Sequence, residues 1–267
     1  MVDYRQNAML RGMECYAVGE NAGEERQGAC VATVAERLGF VPDAWQARVL
    51  ESEVRQGILN CARQCGKSTV TAVMAVERAY TQAESLTLVV SPSARQSGEF
   101  LRKAAQFARK LEVRRKGDGD NEMSLLFPNG SRIVGLPGNE GTIRGFSAVS
   151  LLLVDEASRV PDDLYLAVRP MLAVSGGGLW LMSTPCGKRG FFWETWDRGG
   201  PEWEKVGVTA YDCARIRTDV LEEDRQAMGE RRFRQEYLCE ITEAEDGVFD
   251  MDLVRGARTN KFEKLKI

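Results

Sequence analysis

Gly66-Lys67-Ser68 follows a short apolar run, Gly57 to Cys61, and opens an apolar-periodic stretch, Lys67 to Tyr80. A strand turning through such a triplet into a helix directs backbone N–H groups and a helix N-terminus at an anion, and phosphate suits that geometry. There the Lys67 ammonium reaches the β- and γ-phosphates and the Ser68 hydroxyl ligates Mg²⁺. The usual pattern has glycine five residues before the second glycine, whereas Cys61 stands at that place. The triplet alone also fits a helix start with a surface lysine, so other residues must decide.

A second group of residues carries complementary chemistry. Leu151-Leu152-Leu153-Val154-Asp155-Glu156 is an apolar strand ending in two carboxylates, at the end where ligands gather in open α/β sheets. Asp155 is expected to hold Mg²⁺, directly or through water, and Glu156 to polarise an attacking water. A strand followed by a helix cap would explain the acids in isolation. Beside Lys67 and Ser68 they point to hydrolysis of a nucleotide with Mg²⁺ as the cofactor ion. Arg63, Gln64, Cys65, Gly66 and Thr69 complete the expected phosphate-binding set. Ser183-Thr184 end another apolar run, Leu179 to Ser183, where the Thr184 hydroxyl could sense the γ-phosphate or the attacking water. The Gln46 amide, next to Trp45, offers a donor and an acceptor that match the adenine edge. The alternative for that pair is a core tryptophan beside a surface glutamine. Arg144, in the Gly-flanked stretch Gly141-Thr142-Ile143-Arg144-Gly145, is read as an arginine finger for a neighbouring subunit, with Arg63 as a rival acting in cis.

Composition narrows the chemistry further. The 267 residues contain no histidine, which excludes Ser-His and Cys-His nucleophile pairs and any His-ligated metal. The seven cysteines form no C-x-x-C pair, and two lie in the phosphate loop, which fits a reducing cytoplasm. No run approaches a membrane span and Met1 to Leu10 lacks a signal-peptide core, so no membrane association is expected. A net charge of −3 argues against coating nucleic acid nonspecifically. Two basic groups remain as local candidates, one running from Arg102 through Lys103, Arg109, Lys110, Arg114 and Arg115 to Lys116, the other Arg231, Arg232 and Arg234. Either is also readable as a solvated face.

The elements that must position these residues alternate. Periodicity predicts helices over Val31 to Leu38, Ala44 to Glu53 (capped by Asp43), Lys67 to Tyr80, Ala94 to Leu111, Pro161 to Ala173, Val220 to Met228 and Glu230 to Leu238. Buried strands are predicted at Gly57 to Cys61, Leu86 to Val90, Leu151 to Val154 and Leu179 to Ser183, with a further strand-like stretch from Trp203 to Tyr211. Met123 to Phe127 and Ser131 to Leu136, joined by Pro128-Asn129-Gly130, read as a hairpin inserted between parallel units. The expected division is an N-terminal arm over 1–30, a core over 31–200 with the insertion near 113–136, a small lid over 201–250, and a linker over 251–267.

With these residues assembled, the chain resembles the ATPase domain of the large terminase subunit, the DNA-packaging motor of tailed bacteriophages, over about residues 40 to 250. The likeness rests on the glycine-poor, arginine-bearing loop Ala62 to Ser68, the step Ile143-Arg144-Gly145-Phe146-Ser147, the sequence Asp155-Glu156-Ala157, the coupling sequence Ser183-Thr184-Pro185 and the adenine pair Trp45-Gln46. It implies an α/β P-loop NTPase of the RecA/ASCE type, with a mainly parallel sheet flanked by helices and a small C-terminal lid. It implies double-stranded DNA, a portal protein and a small terminase subunit as partners. A homo-oligomeric ring, a pentamer by family likeness, is implied on assembly and a monomer in isolation. The location implied is the cytoplasm of the infected host, transiently at the procapsid portal. No nuclease activity is expected, because the chain stops where the family continues into a nuclease domain. The alternatives are a superfamily-2 helicase-like ATPase, for which roughly eighty residues after Pro185 fall short of a second domain, and a nucleotide-gated DNA-binding protein without turnover.

Overall fold

Strands that are mainly apolar on both faces must be covered on both, and the chain builds a sheet with helices on each side. The structure, a computed structural model, describes residues 36–112, 123–137 and 145–242. In order these form α1 (Ala44–Glu51), β1 (Gln56–Cys61), α2 (Lys67–Thr81), β2 (Leu86–Ser91), α3 (Ala94–Lys110), β3 (Ser124–Leu126) and β4 (Arg132–Pro137). There follow β5 (Leu151–Asp155), α4 (Asp162–Val168), β6 (Gly178–Ser183), α5 (Gly190–Arg198), β7 (Trp203–Val208), α6 (Thr218–Met228) and α7 (Glu230–Tyr237). The seven strands lie in the order β3-β4-β2-β5-β6-β1-β7. Only β3 runs antiparallel to its neighbour among the described strands.

Alternate residues of each central strand serve opposite cores. Leu59, Leu151, Leu153, Trp180 and Met182 face one cluster beneath α1, α2 and α3. Ile58, Leu152, Val154, Leu179 and Leu181 face the other, which α4 and α5 cover with Leu164, Tyr165, Phe191 and Phe192. At Gly57 the indole of Trp180 lies where a Cβ would stand, 2.3 Å away, so the strand approaches closely there. A third, smaller cluster of Ala62, Ala210, Leu221, Phe233 and Cys239 seats α6 and α7 against the start of the loop after β1.

Several expectations require correction. The hairpin is not a separate insertion, because β4 pairs in parallel with β2 and so belongs to the central sheet. Trp203–Val208 is not part of a lid, since it pairs in parallel with β1 along its whole length. Its buried Val206 and Val208 complete the core beside β1, which explains the pairing. The region expected to be helical from Pro161 to Ala173 breaks at Arg169-Pro170 into a 3₁₀ turn, since proline has no N–H to continue the ladder. Helix α5 is absent from the sequence reading. The 1–30 arm, most of the helix expected over Val31 to Leu38, and the 251–267 linker lie outside the described residues.

Register brings three strand ends together. Asn60 lies opposite Ser183, and Asp155 opposite Met182, so β1, β6 and β5 end side by side. The loop after β1, the carboxylates after β5 and the hydroxyls after β6 therefore share one end of the sheet.

Candidate active site

The loop after β1 is tied down before it turns. Ala62 N donates to Val208 O at 2.8 Å, which extends the pairing of β1 with β7 by one residue. Gln64 (φ 62°) and Gly66 (φ 97°) then reverse the chain into α2. A Cβ at Gly66 would lie 2.7 Å from Gln46 Nε2, so glycine is required here by both conformation and space. Cys61 is still within the strand and outside the positive-φ region, which is why glycine is dispensable at that position. Its carbonyl accepts a hydrogen bond from Thr184 Oγ1 at 3.0 Å, joining the ends of β1 and β6.

The charges gather around Lys67. This side chain is buried, donates to Thr184 Oγ1 at 3.3 Å and lies 3.2 Å from Glu156 Oε1. Burial opposes its charge, but Glu156, Cys65 and Asp155 outweigh that and hold its pKa above the ordinary lysine value. Ser68 Oγ is 3.3 Å from both oxygens of Asp155. Burial and the neighbouring Glu156 push the Asp155 carboxyl up to about 6, against the pull of Lys67 and Ser68. Glu156 stands in the left-handed region at φ 51°, a costly conformation for a non-glycine residue that recurs at functional sites. Its second oxygen is 3.0 Å from Arg159 Nη1.

These groups open onto a cavity of about 650 Å³. Of the residues expected from sequence, Gln46, Arg63, Gln64, Gly66, Lys67, Ser68, Thr69 and Glu156 form its wall. Cys65, Asp155 and Thr184 are buried just behind that wall. Trp45 is not brought there: it is half-buried against the core under α1, while Gln46 is the fully buried member of the pair. Gln46 Oε1 accepts from Asp43 N at 2.9 Å and Nε2 reaches Gly66 O at 3.5 Å, so the amide joins the cap of α1 to the loop. Arg144 lies outside the described residues.

Other wall residues carried no sequence signal for a nucleotide site, Lys103 having been named only within the basic run. Phe40, Gln96, Lys103, Arg159 and Arg215 also line the cavity. Arg215 bridges Asp43 Oδ2 at 2.7 Å and Cys65 O at 2.9 Å. Arg159 is the exception with a local clue, standing three residues after Glu156. The basic run on α3 does not form one face. Lys103 turns to the cavity, Arg102 pairs with Glu99 at 2.7 Å, and Lys110 Nζ donates to Leu38 O at 2.7 Å. Arg114, Arg115 and Lys116 lie outside the described residues.

The donor set fits a small hard cation. Ser68 and Asp155 are adjacent oxygen donors, and a Mg²⁺ ion at a phosphate site takes only one or two protein carboxylates besides phosphate oxygens and water. Among the described residues no group of three or more His, Cys, Asp or Glu side chains gathers as a metal cage. A buried carboxylate with a raised pKa is also one whose charge lacks full compensation, which a cation would supply.

Comparison with known proteins points in one direction. Residues 58–255 match a family model described as terminase large subunit, T4likevirus-type, N-terminal. The large terminase subunits of Thermus virus P23-45 and Thermus phage G20c are each 25% identical, across 80% of this chain and 51% of their own length. The chain thus spans about half the length of the curated relatives it matches. Among solved structures, the ATPase domain of the Thermus phage P74-26 large terminase has a TM-score of 0.70 at 23% identity, covering 78% of this chain and 97% of that one. The bacteriophage HK97 large terminase has a TM-score of 0.69 at 16% identity, covering 80% and 55%. The large terminase of a thermophilic bacteriophage, solved in complex with ATP-gamma-S, has 0.60 at 17%, covering 75% and 53%. At these identities the structural likenesses speak for a common fold.

Proposed function

The chain belongs to the family of T4likevirus-type terminase large subunits, and from that premise we propose that it is a Mg²⁺-dependent ATPase whose turnover drives double-stranded DNA into a procapsid. The observation that carries the reading is the meeting of Lys67, Ser68, Asp155 and Glu156 at one cavity, although Ser68 and Asp155 are 87 residues apart in sequence. In this reading the amides of the loop from Arg63 to Gly66 and the N-terminus of α2 cradle the phosphates, and Lys67 neutralises them. Ser68 and Asp155 hold Mg²⁺, which, when bound, balances phosphate charge. Glu156 orients the attacking water, and Thr184, hydrogen-bonded to both Lys67 and the β1 end, relays the state of the site to β6. Gln46 and Arg215 bound the cavity toward α1, on the side where a base would lie. The family match favours this reading over the helicase-like and non-hydrolysing alternatives.

The proposed partners are double-stranded DNA, a portal protein and a small terminase subunit, with the chain monomeric in isolation and assembled as a ring at the procapsid. Arg144 is the proposed trans arginine finger. The described helices include none long and apolar enough to cross a membrane, and the proposed location is the cytoplasm of an infected host. Calorimetric titration with ATP-gamma-S and Mg²⁺, followed by steady-state turnover with and without double-stranded DNA, tests the reading. Wild type should bind, and should turn over under conditions where it assembles, and Lys67→Ala should do neither. Unchanged nucleotide affinity in Lys67→Ala would overturn it.

A further inference from the structure

Four thiols converge behind the phosphate loop. Five of the described cysteines are free, and Cys61, Cys65, Cys213 and Cys239 among them are buried. Cys65 Sγ donates to Ala62 O at 3.0 Å, and the thiols of Cys61 and Cys213 hydrogen-bond to its sulfur. Cys239 Sγ donates to Val208 O at 3.1 Å, the same carbonyl that Ala62 N reaches at 2.8 Å. The chemistry assigned to the cavity uses none of these sulfurs. Among the described residues no three such side chains are placed to hold one metal ion, which leaves oxidation as the reaction open to neighbouring thiols.

We propose that Cys65 and Cys213 form a reversible disulfide that disables the phosphate loop, with a hydroperoxide as the oxidant. The effect on nucleotide rests on the nucleotide-binding reading of the cavity, whereas the disulfide itself does not. Cys65 is the thiol that meets the oxidant first, because the hydrogen bond from Cys61, aided by the charge of Lys67, outweighs burial and holds its pKa below the ordinary thiol value. Burial instead pushes the Cys61 and Cys213 thiols up. The Cys65 thiolate attacks one peroxide oxygen and breaks the O–O bond; the sulfur becomes a sulfenic acid, and the departing hydroxide takes up the proton that the thiol lost, giving water. The Cys213 sulfur then attacks the Cys65 sulfur, the S–O bond breaks, and the Cys213 proton leaves with that oxygen as a second water. Cys213 is the partner able to move. Cys61 is fixed within β1, paired with Val208 of β7 and with its carbonyl held by Thr184, whereas Cys213 ends a 3₁₀ turn and leads into an irregular stretch. The two segments already touch, since Arg215 Nη2 donates to Cys65 O at 2.9 Å. The loop cannot follow as a body, because Arg63 N donates to Glu236 O at 3.2 Å and Gly66 caps α2. Drawing Cys65 onto Cys213 therefore bends the chain at Gln64 and Gly66, which lie at positive φ and line the cavity, and turns their amides away from the phosphate position. Only the backbone of these two neighbours separates Cys65 from the cavity, so bound nucleotide shields the thiol.

Reduced wild type treated with hydrogen peroxide, then alkylated and mapped by peptide mass spectrometry, should show a Cys65–Cys213 cross-link that dithiothreitol removes. Binding of ATP-gamma-S by the oxidised protein should weaken at least about tenfold, the loss expected from one broken charge-assisted hydrogen bond between an amide and a phosphate, and dithiothreitol should restore it. Cys213→Ala should bind ATP-gamma-S as wild type does when reduced and should keep that affinity after the same treatment. Saturating wild type with ATP-gamma-S beforehand should slow the cross-linking. Absence of the cross-link, a bridge between Cys61 and Cys65 in its place, unchanged affinity in the cross-linked protein, or an equal loss in Cys213→Ala would overturn the proposal. If Cys213→Ala does not fold, the wild-type peptide map and the reversal of both effects by dithiothreitol decide alone. Reduced wild type that never binds ATP-gamma-S would instead sink the nucleotide reading, and the peptide map, which needs no nucleotide, still reports on the disulfide.

Discussion

Neutralising Asp155 should make the ligand-free protein more stable while removing its affinity for Mg·nucleotide. Asp155 is buried, and its carboxyl is pushed from 3.8 up to about 6. A rise of about two units corresponds to roughly 3 kcal/mol of unfavourable ionisation in the fold. Because the folded state holds this proton more tightly than the unfolded chain, the associated stability is fully present below pH 4 and is lost as pH rises through about 6. Asp155→Asn keeps an acceptor for Ser68 Oγ and for Glu156 N but carries no charge. It forfeits some attraction to Lys67, which Glu156 still pairs. The expected gain at pH 7 in EDTA is therefore about 2–3 kcal/mol, or roughly 5–10 °C in Tm for a chain of this size. The gain should shrink toward zero at pH 4. Urea denaturation at both pH values measures it, with Mg·ATP-gamma-S then reversing the order because only wild type gains ligand stabilisation. An Asp155→Asn protein less stable than wild type at pH 7, or one with the same gain at pH 4, would refute the argument.

Glu156→Gln should retain ATP-gamma-S binding within a few-fold and lose on the order of 10²–10⁴ in turnover, because an amide cannot act as a base; near-normal kcat in a steady-state assay would reassign the role. Gly66→Ala must adopt φ 97° and displace Gln46 Nε2 from 2.7 Å, so it should cost about 1–3 kcal/mol in a thermal melt and weaken nucleotide binding at least about tenfold. Lys103 lines the cavity, so Lys103→Ala should raise the KM for ATP and leave DNA affinity unchanged, whereas Arg231→Ala with Arg232→Ala should weaken DNA binding and flatten its salt dependence. An equal loss of DNA affinity in Lys103→Ala would return that lysine to a DNA-facing surface. Arg144→Ala subunits, inactive alone, should regain turnover when mixed with Lys67→Ala subunits under conditions where wild type assembles; a mixture no faster than its parents would remove the trans role.

Local pattern determined the fold class, the order of the main elements and the residues of the phosphate and acidic loops. The strands β1, β2, β5 and β6 announce themselves as mainly apolar runs because both their faces are covered. Gly66, Lys67 and Ser68 are legible because each type answers a local demand, a positive φ, an anion and a cation. Strand order was decided only by the tertiary structure. Whether Trp203–Val208 joins the sheet or a lid depends on which edge its half-apolar face covers, and that edge is β1, more than a hundred residues earlier. The same holds for Trp45 and Gln46, whose burial is opposite to what their polarity alone suggests, since Gln46 is satisfied by Asp43 and Gly66 across the loop. Arg215 and Glu236 reach the site from 150 and 173 residues away, respectively, with no spacing to betray them. A charged residue on a helix has the same local sequence character whether it faces water or a partner brought in by the fold, so only packing distinguishes the two.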